Sequence, residues 1–138
     1  RMIPYADRPV LHLRIATWLE QHAPLAFSAH TAEHFAAGGA PEAAYAHYLA
    51  AADLATSRED AITTYDLYAE LGELGLPPAL AAEGALALAQ AAMSFGDDAR
   101  AHEALVHAAG LIRQCPPEEA ANLQLVLEQL RSDLALSA

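Results

Sequence analysis

Alanine recurs at the tight packing positions of one stretch, residues 30–71, and that recurrence limits the fold more than any other feature of the chain. The stretch reads as three helices in a row, each closed by a turn of small or polar residues. Short helices of this kind cannot bury an apolar face alone and must stack against neighbours, which is the logic of a helical repeat array. The pattern also returns. Ala32, Phe35, Gly39, Ala44, Tyr48 and Ala51 are answered 57 positions later by Ala89, Ala92, Gly96, Ala101, Leu105 and Ala108. In each copy the small residue of the first helix admits the second helix, glycine makes the turn, and an aromatic or leucine fills the seam. A half-match follows 17 positions after the first copy, with Ala61, Tyr65 and Tyr68 behind Ala44, Tyr48 and Ala51.

Hydrophobic residues make up 54% of the 138 but aromatics only 7%, because alanine and leucine carry the apolar content. Both are strong helix formers, so the class is all-α. Seven helices are predicted, over about residues 9–21, 25–37, 41–55, a fourth ending near 74, 78–95, 97–114 and 118–136. The breaks fall at Pro24, Gly38-Gly39, Thr56-Ser57, Gly75-Leu76-Pro77-Pro78, Gly96 and Cys115-Pro116-Pro117. Ser57 with Asp60 three residues on resembles a capping signal for the fourth helix. The inward stripes are Leu11, Ile15, Trp18 and Leu19 on the first helix, and Ala61, Tyr65, Tyr68 and Leu71 on the fourth. On the seventh they are Leu123, Leu127, Leu130 and Leu134. The fifth helix is apolar all round, which calls for neighbours on both sides. Residues 1–8 form an entry segment and 9–138 one domain. The opening RMIPYADRPV, with methionine second, suggests a piece of a longer protein.

A formal charge of −11, with seven arginines and no lysine, repels phosphate backbones and acidic membrane surfaces, so direct nucleic-acid or membrane binding is not expected. No apolar run reaches the roughly 18–20 residues of a spanning helix. The single Cys115 has no intrachain partner for a disulfide, which fits a cytoplasmic setting.

His30-Thr31-Ala32-Glu33-His34 matches the H-x-x-E-H pattern of inverted zinc peptidases, and histidines at i and i+4 share a helix face. Glu83 or Glu103 would then supply a third ligand. Helix packing accounts for Ala32 and Phe35 without a metal, so no metal, no cofactor and no catalytic residue is expected. The remaining histidines are scattered along helices as boundary residues. The acidic pairs Glu59-Asp60, Asp97-Asp98 and Glu118-Glu119 sit at helix starts, where the dipole stabilises negative charge.

The paired-helix pattern resembles the tetratricopeptide repeat. More specifically, Leu11-His12-Leu13-Arg14-Ile15-Ala16-Thr17-Trp18-Leu19-Glu20 is similar to a helix that follows the ATPase and winged-helix portions of large bacterial signalling ATPases. Ala32 to Gly38, Glu42 to Asp53 and Ala55 to Ile62 then look like the segments that come next in those proteins, so the likeness covers about half of the chain. Such segments occur in STAND/AAA-type ATPases fused to adenylate cyclase or LuxR-type DNA-binding domains. No phosphate-binding loop is present, so no nucleotide-binding residue carries over. The resemblance implies about seven antiparallel helices in a right-handed superhelix, serving as a non-enzymatic sensor or effector arm. It also implies a groove lined by the first helix of each pair, with Glu33 and Ala37 on the second helix, Glu83, Gln90 and Ser94 on the fifth, and Asp53 at its edge. The expected partner is a basic protein or peptide segment, or another domain of the parent. A stand-alone adaptor that homodimerises through the fifth or seventh helix is the alternative, and a zinc hydrolase comes last.

Overall fold

A computed structural model describes residues 5–137. Among these every regular element is helical. Two 3-10 turns, Tyr5–Asp7 and Leu25–Phe27, accompany seven α-helices: α1 (Arg8–His22), α2 (Ser28–Ala37), α3 (Pro41–Ser57), α4 (Ala61–Gly72), α5 (Pro78–Ser94), α6 (Asp98–Ile112) and α7 (Pro117–Ser137). Prolines open α3, α5 and α7, where a missing N–H costs nothing because the first turn has no acceptor for it. Residues 1–4 of the expected entry segment lie outside the described residues.

The chain turns in one manner three times. Ala40 N–H donates to Phe35 O at 2.9 Å, Asp60 N–H to Ala55 O at 3.0 Å, and Asp97 N–H to Ala92 O at 2.9 Å. The residue before each donor holds the left-handed conformation, with φ of 80° at Gly39, 59° at Glu59 and 74° at Gly96. This left-handed cap satisfies carbonyls that the helix end would otherwise leave open. The next helix then starts alike, Ala44 N–H to Ala40 O at 3.1 Å, Thr64 to Asp60 at 3.0 Å, and Ala101 to Asp97 at 3.0 Å. The two copies 57 positions apart therefore share backbone hydrogen bonding as well as their glycine and alanine positions.

The turn at Glu59 corrects the register of the half-match. Counting from it, Thr64, Tyr68 and Leu71 stand 20 positions after Ala44, Tyr48 and Ala51, and all six are buried. Ala61 and Tyr65 are only half-buried, and the inward face of α4 is Thr64, Leu67, Tyr68 and Leu71. The cap of α4 also differs from the expectation. Ser57 closes α3, its Oγ donating to Leu54 O at 2.7 Å, while Asp60 Oδ1 accepts from Thr63 N–H at 3.1 Å.

The chain divides into two compact units, Arg1–Leu74 and Gly75–Ala138. In the first, α1 packs on α2, α2 on α3 and α3 on α4. Ala16, Ala32, Ala44 and Ala52 are fully buried, with Phe35, Tyr45, Tyr48 and Tyr68 filling the seams between helices. The α1 stripe departs from the pattern. Trp18 is 59% exposed, and it is Ala16 that lies fully buried, with Leu13 close against Gly38, the residue that caps α2. A helix at the end of a stack, covered chiefly by one neighbour, buries a narrower face than its periodicity offers. In the second unit α5 meets both α6 and α7. Leu86, Leu105, Ile112, Leu123, Leu127 and Leu130 form its core around Ala82, Ala89 and Ala108, which have no exposed surface.

Candidate functional site

The first unit carries a depression of about 360 Å³ lined by Ala36, Tyr48, Ala69, Glu70, Glu73 and Leu74. Small residues on α2 and α4 leave the space, and Tyr48, brought inward by the seam of α3, shares its lining. Tyr48 is 4% exposed. Burial, a hydrogen bond to the Glu70 carboxylate, and the charges of Glu70 and Glu33 all push its phenol well above the usual tyrosine range. The Tyr48 hydroxyl is thus held protonated as a donor to Glu70. Glu33 acts electrostatically on the same phenol from α2, so acidic residues of two helices converge on it.

Of the residues expected from sequence, Glu33 and Ala37 are exposed on α2, and neither is among the residues that line this depression. Glu33 also lies 3.8 Å from His30 Nδ1. Asp53 does not line the depression, and its charge acts instead on Tyr68 of α4, whose phenol is raised first by burial and then by that carboxylate. In the second unit, Glu83, Gln90 and Ser94 are the exposed residues of α5, all others on that helix being buried or half-buried. Their spacing of seven and then four residues keeps them on one face, a narrow polar stripe along an otherwise covered helix. Ser94 Oγ donates to Ala91 O at 2.7 Å.

Sequence reasoning missed Glu70 and Glu73. The signal was an acidic pair at i and i+3, Glu70 in the last turn of α4 and Glu73 just after it, obscured by placing Ala61 and Tyr65 on the inward face. It also assigned Tyr48 to packing alone, whereas its hydroxyl engages a carboxylate.

The HTAEH segment divides by face. Thr31 and Ala32 point into the unit at 2% and 0% exposure, while His30 and Glu33 face outward. His34 faces α1, with its Nδ1 2.8 Å from His12 Nδ1. His47 of α3 stacks on Phe35 and bonds Glu20 Oε2 at 2.8 Å. Among the described residues no group of three or more His, Cys, Asp or Glu comes together to hold a metal ion, so the peptidase-like ligand set does not assemble. No helix among them is long and apolar enough to cross a membrane.

Comparison with protein-family models, with curated proteins and with solved structures finds no match to this chain.

Proposed function

We propose that the chain is a non-enzymatic interaction domain of tetratricopeptide-like helix pairs, antiparallel and wound into a right-handed superhelix. In this reading it is the cytoplasmic sensor or effector arm of a bacterial signalling or transcription-regulating ATPase, and it takes a basic protein or peptide segment. The observation that carries the reading is the turn-and-seam geometry shared by Gly39 and Gly96 and their flanking helices. The Leu11–Ile62 resemblance supports the regulator context. The chemistry of the first unit supports the partner class: apolar walls of Ala36, Ala69 and Leu74 suit the stem of an arginine or lysine, and Glu33, Glu70 and Glu73 suit its charge.

The test is fluorescence anisotropy with a dye-labelled arginine- and lysine-rich peptide and its acidic counterpart. Saturable binding of the basic peptide alone is expected, weakening with added salt and with Glu70→Gln plus Glu73→Gln. Equal binding of both peptides, or indifference to the two substitutions, would refute the groove. The regulator context is tested by the flanking gene sequence, where an ATPase phosphate-binding loop upstream is expected.

A second reading has an observation of its own. On α7, Leu125 is 71% and Val126 47% exposed, a face suited to a homodimerising adaptor. Light scattering across a concentration series tests it, and a mass independent of concentration at the monomer value excludes it.

A further inference from the structure

The contact between α1 and α2 is apolar at Leu13, Ala16 and Gly38 but carries one polar juncture. His12 and His34 meet there through their Nδ1 atoms at 2.8 Å, with ring centroids 5.0 Å apart and planes tilted by 32°. Two neutral imidazoles in this pose share one proton between the facing nitrogens, one Nδ1–H donating and the other Nδ1 accepting. If that proton moves to the outer Nε2 of its own ring, both inner nitrogens carry free lone pairs, and a modest rotation of each ring would aim the two at one point between the helices.

That point suits a metal ion. Nitrogen ligands sit about 2.0–2.1 Å from zinc, and a tetrahedral angle then separates two of them by about 3.3 Å. The observed separation needs to open by only about half an ångström, within reach of small side-chain rotations. Both histidines are half-buried, so the rings are held by their helices while water still reaches the site. The residues project from two separate α-helices rather than from a loop, which fixes the approach of the two nitrogens.

We propose that His12 and His34 form a two-histidine site for a divalent late transition-metal ion, zinc(II) by preference of availability, that clamps α1 onto α2. Water completes the coordination. Imidazole donors select zinc, nickel and copper over magnesium and calcium, which take oxygen ligands. This site is independent of the acidic depression and of the regulator reading, and it differs from the His30-to-His34 pair of the sequence motif. A bound ion stabilises the folded state by mass action.

The experiment uses the full chain without an affinity tag, titrated with zinc chloride and nickel chloride by calorimetry and followed by thermal melting. One metal per chain, a melting temperature that rises with metal concentration, and no response to magnesium chloride are expected. His12→Gln and His34→Gln, which keep a polar side chain at the juncture, should each abolish the saturable binding and the thermal shift, while His102→Gln should retain both. Circular dichroism of each variant without metal establishes that it is folded. Absence of saturable binding to the native chain, or its survival in either folded variant, overturns the proposal.

Discussion

Gly38→Ala isolates the packing of α1 on α2. Gly38 has φ −83° and ψ 0°, a conformation open to alanine, so removing glycine's flexibility from the unfolded chain should by itself stabilise by about 0.4–1 kcal/mol. The added methyl has no room. It would stand 2.6 Å from Leu13 Cγ, 2.8 Å from Leu13 Cδ2 and 3.1 Å from Leu13 N. Carbon pairs normally rest at about 3.5–4.0 Å, so relief requires a movement of about 1 Å. The Cδ2 methyl can rotate away, but Cγ and the backbone nitrogen are tied to α1, so the helix itself must retreat. Overpacking of this kind costs about 1–3 kcal/mol, leaving a net loss of roughly 0.5–2 kcal/mol. Urea unfolding followed by Trp18, the one tryptophan and itself on α1, and by circular dichroism reads this directly. Leu13→Ala should make the glycine replacement less costly, with a coupling of at least about 0.5 kcal/mol in a double-mutant cycle. Gly72→Ala, with open space around it, should instead raise the urea midpoint. A Gly38→Ala chain as stable as the native one would refute the docking.

Glu59 occupies with a side chain the left-handed position that glycine holds in the two related turns, so Glu59→Gly should stabilise by about 0.5–1 kcal/mol in the same urea assay. The Asp60 cap, whose carboxyl is lowered by hydrogen bonds from the Thr63 hydroxyl and N–H, stabilises the fold above the unfolded carboxylate pKa and loses that effect as pH falls. Asp60→Ala should therefore lower the urea midpoint at neutral pH, with the difference from native shrinking below about pH 4. Tyr48 and Tyr68 have phenols raised above their unfolded value, so the folded state loses stability as pH climbs past about 10, where the unfolded chain ionises first. Tyr68→Phe should flatten that alkaline limb in denaturant melts recorded with tyrosinate absorbance.

The helices were legible because glycine and proline mark their ends: Pro41, Gly39, Gly96 and the proline pairs before α5 and α7 leave little freedom in placement. The α7 stripe was legible too, since Leu123, Leu127 and Leu130 keep one strict face, and all three are buried. The register of α4 was harder to read. Tyr65 and Tyr68 both imitate Tyr48, and the turn that fixes the frame carries Glu59 where a glycine would have flagged it. Trp18 misled in a different way, because periodicity describes the face a helix offers and not how much of it a neighbour covers. The stripe of Glu83, Gln90 and Ser94 was recoverable because polar residues on an alanine-rich helix have nowhere to go but outward. The convergence of Glu33 and Glu70 on Tyr48 depends on how α2, α3 and α4 pack, which no spacing within one helix encodes.

One turn is built three times in this chain, and nuclear magnetic resonance of the backbone tests that most directly. Slow amide exchange at Ala40, Asp60 and Asp97, with positive φ at Gly39, Glu59 and Gly96, is the predicted result. Unprotected amides at any of the three turns, or a negative φ at Glu59, would contradict it.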